Sequence, residues 1–226
     1  MVKTVKNLLL GHFYIDIVLF ITSVCFLLIE WHSLSVDHRL TYALFLGMCL
    51  HQLEEYRFPG GFIWGFNKVF MNSDLPDRYP SNRLSAVLVD VISMVVAAPF
   101  LYWHYSTILG ACFAIFALLE VVGHLLFGIL AFKKYHKQGK ETIYFPGSFT
   151  SWIFFTPFSI VLLFEQITSG LTNGHVWFWT VIILIIFMAV DVVLPTLLFS
   201  KRDTPYIYDE EPREGLYFKK FSQTGN

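Results

Sequence analysis

Six long apolar runs divide the chain, and polar or aromatic stretches separate each run from the next. A helix needs about 20 predominantly apolar residues to cross the hydrocarbon core of a bilayer. The runs therefore predict about six transmembrane helices, of which the second and the fifth are short. They cover residues 12–31, 40–56, 84–103, 106–132, 152–168 and 176–199.

The composition is typical of an integral membrane protein. Of the 226 residues, 55% are hydrophobic and 15% are charged, and the mean hydropathy is +0.57, well above the range of ordinary soluble domains. The net charge of -1 gives no indication of a nucleic-acid partner. Cys25, Cys49 and Cys112 lie in apolar runs without CxxC spacing, which argues against disulfides and thiolate metal sites.

The lysine and arginine residues predict the orientation, because basic residues are enriched in cytoplasmic loops. With both termini in the cytoplasm, every basic residue except Arg39 lies on that side. The sequence thus predicts an all-α, polytopic membrane helix bundle with N-in, C-in topology. We expect a single transmembrane domain over residues 1–200 and a polar, extended cytoplasmic tail over residues 201–226.

Ionisable side chains within the runs concentrate in the half predicted to be cytoplasmic. A charged residue at the centre of a bilayer costs at least ~2.5 kcal/mol, so intramembrane acids normally face one another, a counter-ion or water. His51, Glu54 and Glu55 are spaced i, i+3 and i+4 and share one helical face. Glu120 and His124 have the same i, i+4 relation. We therefore predict one polar pocket between the second and fourth helices.

Histidine and glutamate side chains that point into a helix bundle are a recurrent way to hold a metal. Such a set would suit zinc, iron or manganese, in one centre or in two, and the residue types do not choose among these ions. The acids before Arg57 are also open to a simpler interpretation as an interfacial ion pair. The predicted ligands of the divalent metal are His51, Glu54, Glu55, Glu120 and His124.

Other polar residues are predicted to surround the pocket, as hydrogen-bond partners of the ligands or as gates. For His12 and Asp16 an interfacial pair is an alternative, and for Asp90 and Asp191 plain interhelical hydrogen bonding is one. The full set is His12, Asp16, Arg57, Asp90, Tyr144 and Asp191.

Two similar loop sequences follow helices that carry histidine and glutamate. The first is "YRFPGGF" at residues 56–62 and the second is "YFPGSF" at residues 144–149. Pro-Gly pairs favour tight turns, and the flanking aromatic residues favour an apolar or interfacial setting. We predict that both loops fold over the pocket, although two unrelated interfacial turns would have the same composition.

The string His51-x-x-Glu54-Glu55, at the end of an apolar helix and followed by Phe-Pro-Gly-Gly-Phe, resembles the HXXEE family of small multi-pass bacterial membrane proteins. His124 resembles the second histidine of that family, and the segment from Tyr144 to Gly147 resembles its Tyr-x-Pro-Gly segment. The resemblance covers about residues 40–155. It implies an integral membrane protein without an assigned reaction, and a bacterial inner membrane is the expected location.

Together these patterns predict a membrane-embedded metalloenzyme, a hydrolase or an oxygenase, that acts on a lipid or another apolar substrate. Glu54 or Glu55 would be the catalytic general base. Two other classes stay open. One is a small cation- or proton-coupled carrier, and the other is a structural or partner-binding membrane protein. The sequence predicts no oligomeric state.

Overall fold

A computed structural model describes residues 12–208 and 216–222. Over these residues the chain is all-helical, without any strand, which confirms the predicted fold class. The helices are α1 (Phe13–Ile29), α2 (Val36–Tyr56), α3 (Phe62–Gly65), α4 (Arg83–Trp103), α5 (Thr107–Tyr135), α6 (Ser148–Thr150), α7 (Thr156–Thr168), α8 (Gly174–Phe187), α9 (Leu194–Phe199) and α10 (Leu216–Ser222).

Polar caps fix where three of the long helices begin. The side chains of Asn82, Ser106 and Asn173 accept hydrogen bonds from backbone N–H groups in the first turns of α4, α5 and α8. Such caps satisfy donors that have no partner within the helix. Three π-helical segments continue other helices, and segments of this kind are frequent at functional sites. They span Phe66–Phe70, Ser151–Phe155 and Met188–Val193.

Four helical stretches within the described residues are long and apolar enough to cross a membrane. They are Arg83–Trp103, Thr107–Gln138, Ser148–Thr168 and Gly174–Phe199. Helix α1 is apolar but has only 17 residues. Helix α2 has 21 residues but carries acids and histidines within its apolar sequence. The count of about six spanning helices and the N-in, C-in orientation therefore stay predictions.

Helix α2 is the central helix of the bundle. Most of its side chains are buried, and it packs against α1, α4, α5 and α7. Its middle part contributes Leu44, Phe45 and Cys49 to the main hydrophobic core, whereas its last turns bury His51 and Glu55. Because protein rather than lipid surrounds this helix, its polar residues can find partners, which explains why the helix tolerates them.

The C-terminal tail differs from the expected extended peptide. Residues 216–222 form α10, and Phe218 and Phe221 are buried in a second hydrophobic cluster with Tyr135 and Phe145. Aromatic side chains within an otherwise polar tail supply the apolar surface that drives this packing. Residues 209–215 and 223–226 of the predicted tail lie outside the described residues.

The two Pro-Gly loops end in the same way, with a left-handed glycine at the start of a short helix. Gly61 and Gly147 adopt the left-handed conformation, with φ of 99° and 97°, directly before α3 and α6. In each case a short α-helical turn is followed by a five-residue π-helical segment. Glycine is needed at both positions because a Cβ atom disfavours positive φ. Both loops thus lead into the same kind of helical turn, but they differ before it: the Phe58–Pro59 peptide bond is cis, and the left-handed glycine follows Pro59 by two residues and Pro146 by one.

Candidate metal centre

Four of the five predicted ligands lie together between α2 and α5. His51 and Glu55 come from α2, and Glu120 and His124 come from α5. The two helices pack directly against each other, and the i, i+4 spacing directs both residues of each pair into their interface. One nitrogen or oxygen atom from each residue lies within 4.8 Å of those of the other three, so the group could hold a metal ion.

The distances among these atoms resemble the edges of a coordination polyhedron. The Nε2 atoms of His51 and His124 are 3.1 Å apart, and Oε1 of Glu55 lies 3.4 Å from the first and 3.1 Å from the second. Oε2 of Glu120 lies 3.6 Å from Nε2 of His124 and 4.0 Å from that of His51. Around a tetrahedral ion with bonds of 2.0–2.1 Å, neighbouring ligand atoms are separated by about 3.3 Å. The two histidines and Glu55 fit this spacing, and Glu120 lies slightly further out.

A hydrogen-bond chain orients the ring of His51. The Thr150 hydroxyl donates to Oε2 of Glu54 at 2.7 Å, because a carboxylate can only accept. It therefore accepts a hydrogen bond from Nδ1 of His51, at 2.8 Å. A histidine that donates through Nδ1 carries its lone pair on Nε2. This lone pair points into the group of four, as it does in metal sites with an ordered outer shell.

Glu54 lies outside the group of four, although the sequence predicts it as a ligand and as a catalytic base. Its carboxylate accepts hydrogen bonds from the Tyr144 hydroxyl at 2.8 Å, the Phe149 N–H at 3.0 Å, and the Thr150 N–H and hydroxyl at 2.8 and 2.7 Å. These donors place Glu54 on the Nδ1 side of His51, whereas the group of four meets at Nε2. Glu54 thus anchors the second Pro-Gly loop to α2.

Aromatic rings and a glycine enclose the other side of the histidines. The ring of His124 lies 5.4 Å from that of Phe62 and 6.2 Å from that of Phe145, and its Nδ1 atom is buried without a hydrogen-bond partner among the described residues. A Cβ atom at Gly147 would lie 2.2 Å from Cε1 of His124 and 2.8 Å from Cε1 of His51. The backbone of the second Pro-Gly loop therefore lies directly against both imidazoles, and no side chain fits between them.

Three of the other predicted residues belong to a separate polar cluster at α1, α2 and α4, in which His12 and Asp16 are buried. Nδ1 of His12 lies 3.2 Å from Oδ2 of Asp16, and the His12 ring meets the edge of Tyr56 at 4.6 Å. Tyr56 in turn interacts electrostatically with Asp90. Asp16 and Asp90 both interact electrostatically with Glu55, so this cluster adjoins the group of four without joining it.

The remaining predicted residues occupy different surroundings. Arg57 places its guanidinium 4.2 Å from the ring of Phe13. Tyr144 donates a hydrogen bond to Glu54 rather than to a member of the group of four. Asp191 lies in the π-helical segment Met188–Val193, and its buried Oδ2 has no hydrogen-bond partner among the described residues.

Sequence reasoning missed Thr150 and the close contact of Gly147. The repeated Pro-Gly loop indicated the correct segment, but no pattern connects a threonine to a histidine 99 positions away.

Over the residues that the structure describes, the fold is all-helical with four candidate membrane spans, and the site is a buried histidine–glutamate group that could hold a metal ion. A family described as proteins of unknown function with an HXXEE motif matches residues 42–162, and the chain belongs to this family. The matched segment contains all four residues of the group. No curated protein and no solved structure matches the chain. The bacterial origin and the inner-membrane location stay predictions.

Proposed function

We propose that this protein is a membrane-embedded, metal-dependent enzyme that acts on a lipid or another apolar substrate. In this proposal His51, His124 and Glu55 hold one divalent ion, and Glu120 is the general base. The observation that carries it is the convergence of four possible ligand atoms, from two helices, at separations that could accommodate one ion.

A cation accounts for the electrostatics of the group better than protons do. Two imidazole nitrogens and a carboxylate oxygen lie within 3.4 Å of one another, and Nδ1 of His51 already carries a proton toward Thr150. Several lone pairs of these atoms face one another, and a proton added at either Nε2 atom bridges only one pair of them. A divalent ion satisfies all of them at once and replaces the solvation that burial removes.

The donor set favours zinc, iron or manganese over magnesium or calcium, because imidazole nitrogen suits the former ions. Two histidines and one glutamate hold catalytic zinc in some hydrolases, and two histidines and one carboxylate hold iron in some oxygenases. In both arrangements the protein leaves coordination positions open. A bound ion would supply Lewis acidity for hydrolysis or, as iron, oxidative chemistry.

Glu120 differs from the three proposed ligands in distance and exposure. Its side chain is 29% exposed, whereas those of the other three are at most 6% exposed. Because its carboxylate lies furthest from the histidine nitrogens, it can turn toward a substrate or a water molecule and accept a proton there. Glu54 is unsuited to this role, since four donors already occupy its oxygens.

The surface beside Glu120 indicates the class of substrate. Its neighbours Leu119 and Val122 are exposed by 51% and 64%, and they belong to a stretch apolar enough to span a membrane. An exposed apolar surface of this kind is typical of a lipid-facing helix. A substrate that reaches Glu120 along this surface would be apolar itself, which supports a lipid substrate.

Elemental analysis of the purified protein in detergent tests the proposal. The variants are His51→Ala, His124→Ala and the double variant, and His38→Ala is the control. His38 is also buried, but it hydrogen-bonds the Leu101 carbonyl at 2.7 Å and lies outside the group. We expect about one equivalent of metal in the parent and in the control, loss in each single variant, and no further loss in the double variant, because one ion needs both ligands.

A parent protein that remains free of metal after supplementation would overturn the proposal, as would equal loss in His38→Ala. In the first case the group of four would be a proton-sharing, structural cluster, in line with the alternative of a structural membrane protein.

A further inference from the structure

Helix α10 packs against the segment that covers the candidate metal centre. Phe218 is fully buried, and its ring lies 5.3 Å from that of Phe145 and stacks on Trp64 at 5.5 Å. Gly65 leaves the space for it, since a Cβ atom there would lie 2.4 Å from Cε2 of Phe218. The C-terminal helix thus places Phe218 in an aromatic pocket, where it touches Phe145 of the second Pro-Gly loop.

Polar contacts at Tyr144 reinforce this packing. The buried ammonium of Lys140 donates to the Tyr144 carbonyl at 2.6 Å and to the Tyr217 hydroxyl at 2.5 Å. The Tyr217 hydroxyl in turn donates to the same carbonyl at 3.0 Å. The loop backbone is therefore held by a closed set of three hydrogen bonds, and Tyr217 of α10 makes two of them.

The same loop contacts Glu54 and the two histidines of the candidate centre. The Tyr144 hydroxyl donates to Glu54, the Phe145 ring lies beside His124, and Gly147 abuts both imidazoles. A shift of the loop would disturb the hydrogen bonds that Glu54 and Thr150 use to orient His51. Ligand geometry in metal sites tolerates displacements of only about 0.5 Å.

We propose that Tyr217 and Phe218 are positioning residues and that α10 is a strap across the second Pro-Gly loop. The strap fixes residues 144–150 over the centre, keeps His51 oriented, and slows the exchange of the bound ion. This inference rests on the proposed metal function, and it assigns the C-terminal tail a role in the site rather than in binding a partner.

The rate at which a chelator removes the ion from the purified, metal-loaded protein tests the strap. We expect removal to be several-fold faster in Tyr217→Phe and about 10-fold or more faster in Phe218→Ala, if the loss of affinity of about 10- to 100-fold that follows removal of outer-shell partners is expressed in the rate of dissociation. Phe218→Leu should restore most of the slow exchange, since leucine refills the pocket. Phe45→Ala is the matched control, because Phe45 is equally buried but lies in the other core cluster.

Thermal unfolding of the same variants separates positioning from general stability. The proposal is refuted if Phe218→Ala leaves the rate of metal removal unchanged. It is also refuted if Phe45→Ala raises that rate as much as Phe218→Ala does for the same fall in Tm. Hydrogen exchange at the Phe149 and Thr150 amides, which donate to Glu54, supplies a readout that needs no metal. Faster exchange in Phe218→Ala than in Phe45→Ala supports the strap even if the parent binds no ion. Equal exchange refutes it.

Discussion

The substitution Gly147→Ala should destabilise the protein in two ways, and a control variant can separate them. The first is a backbone penalty of about 1–2 kcal/mol, because alanine would have to adopt the left-handed conformation. The second is a collision with His124, since the new Cβ atom would lie 2.2 Å from Cε1 of that ring. Carbon atoms prefer separations of about 3.5–4.0 Å, so the ring or the loop must retreat by more than 1 Å.

Such a displacement exceeds the tolerance of a metal site, about 0.5 Å. We therefore expect Gly147→Ala to lower metal affinity by at least about 10- to 100-fold, the loss typical of a disturbed outer shell. Competition against a chromophoric chelator measures the affinity, and thermal unfolding measures the stability.

Gly139→Ala is the matched control. Gly139 has nearly the same backbone conformation, with φ of 91°, and no atom lies within 4 Å of its hypothetical Cβ. This variant should lose stability through the backbone penalty alone and should bind metal as the parent does. If Gly147→Ala also binds metal like the parent, or if both variants lose affinity equally, the proposed proximity of this loop to the metal is wrong.

Four further outcomes are expected. Glu55→Gln should lower metal affinity by about 100-fold and Glu120→Gln by about 10-fold, because Glu55 lies closer to both histidine nitrogens. Competition titrations measure both affinities, and equal losses would contradict the roles assigned to the two glutamates. Glu54→Gln should cost about 1–3 kcal/mol in chemical unfolding, since an amide cannot accept all four hydrogen bonds. A chelator should lower the Tm of the parent but not of His51→Ala, because an ion at 100 times its Kd stabilises the fold by about 2.7 kcal/mol. Burial lowers the pKa of Lys140 from 10.5 to about 8. The unfolded chain therefore holds more protons between these pH values, so stability should rise with pH there, and Lys140→Met should remove that rise in thermal unfolding.

The centre could be predicted from sequence where helical spacing decides the geometry. His51 and Glu55, like Glu120 and His124, are one turn apart, so each pair must share a face wherever its helix lies. Burial in an apolar helix then required partners for these residues, and the nearest partners were each other.

Helical spacing alone could not decide whether Glu54 is a metal ligand. Glu54 and Glu55 lie three and four residues after His51, and residues at these two spacings lie on similar faces of a helix. The position of Glu54 depends on Tyr144, Phe149 and Thr150, about 90 residues further along the chain. Helix α10 escaped prediction for a related reason. Its aromatic residues pack into a pocket to which Gly65 and Trp64 contribute, and a tertiary pocket leaves no periodic pattern in the sequence.

X-ray absorption spectroscopy of the metal-loaded protein tests the shared centre most directly. We expect nitrogen and oxygen atoms at about 2.0–2.2 Å from the ion. The parent should show the multiple-scattering signal of two imidazoles bound to the metal. Any metal that His124→Ala retains should show the signal of one imidazole. A spectrum without two imidazoles in the parent would contradict the assignment of His51 and His124 to one ion.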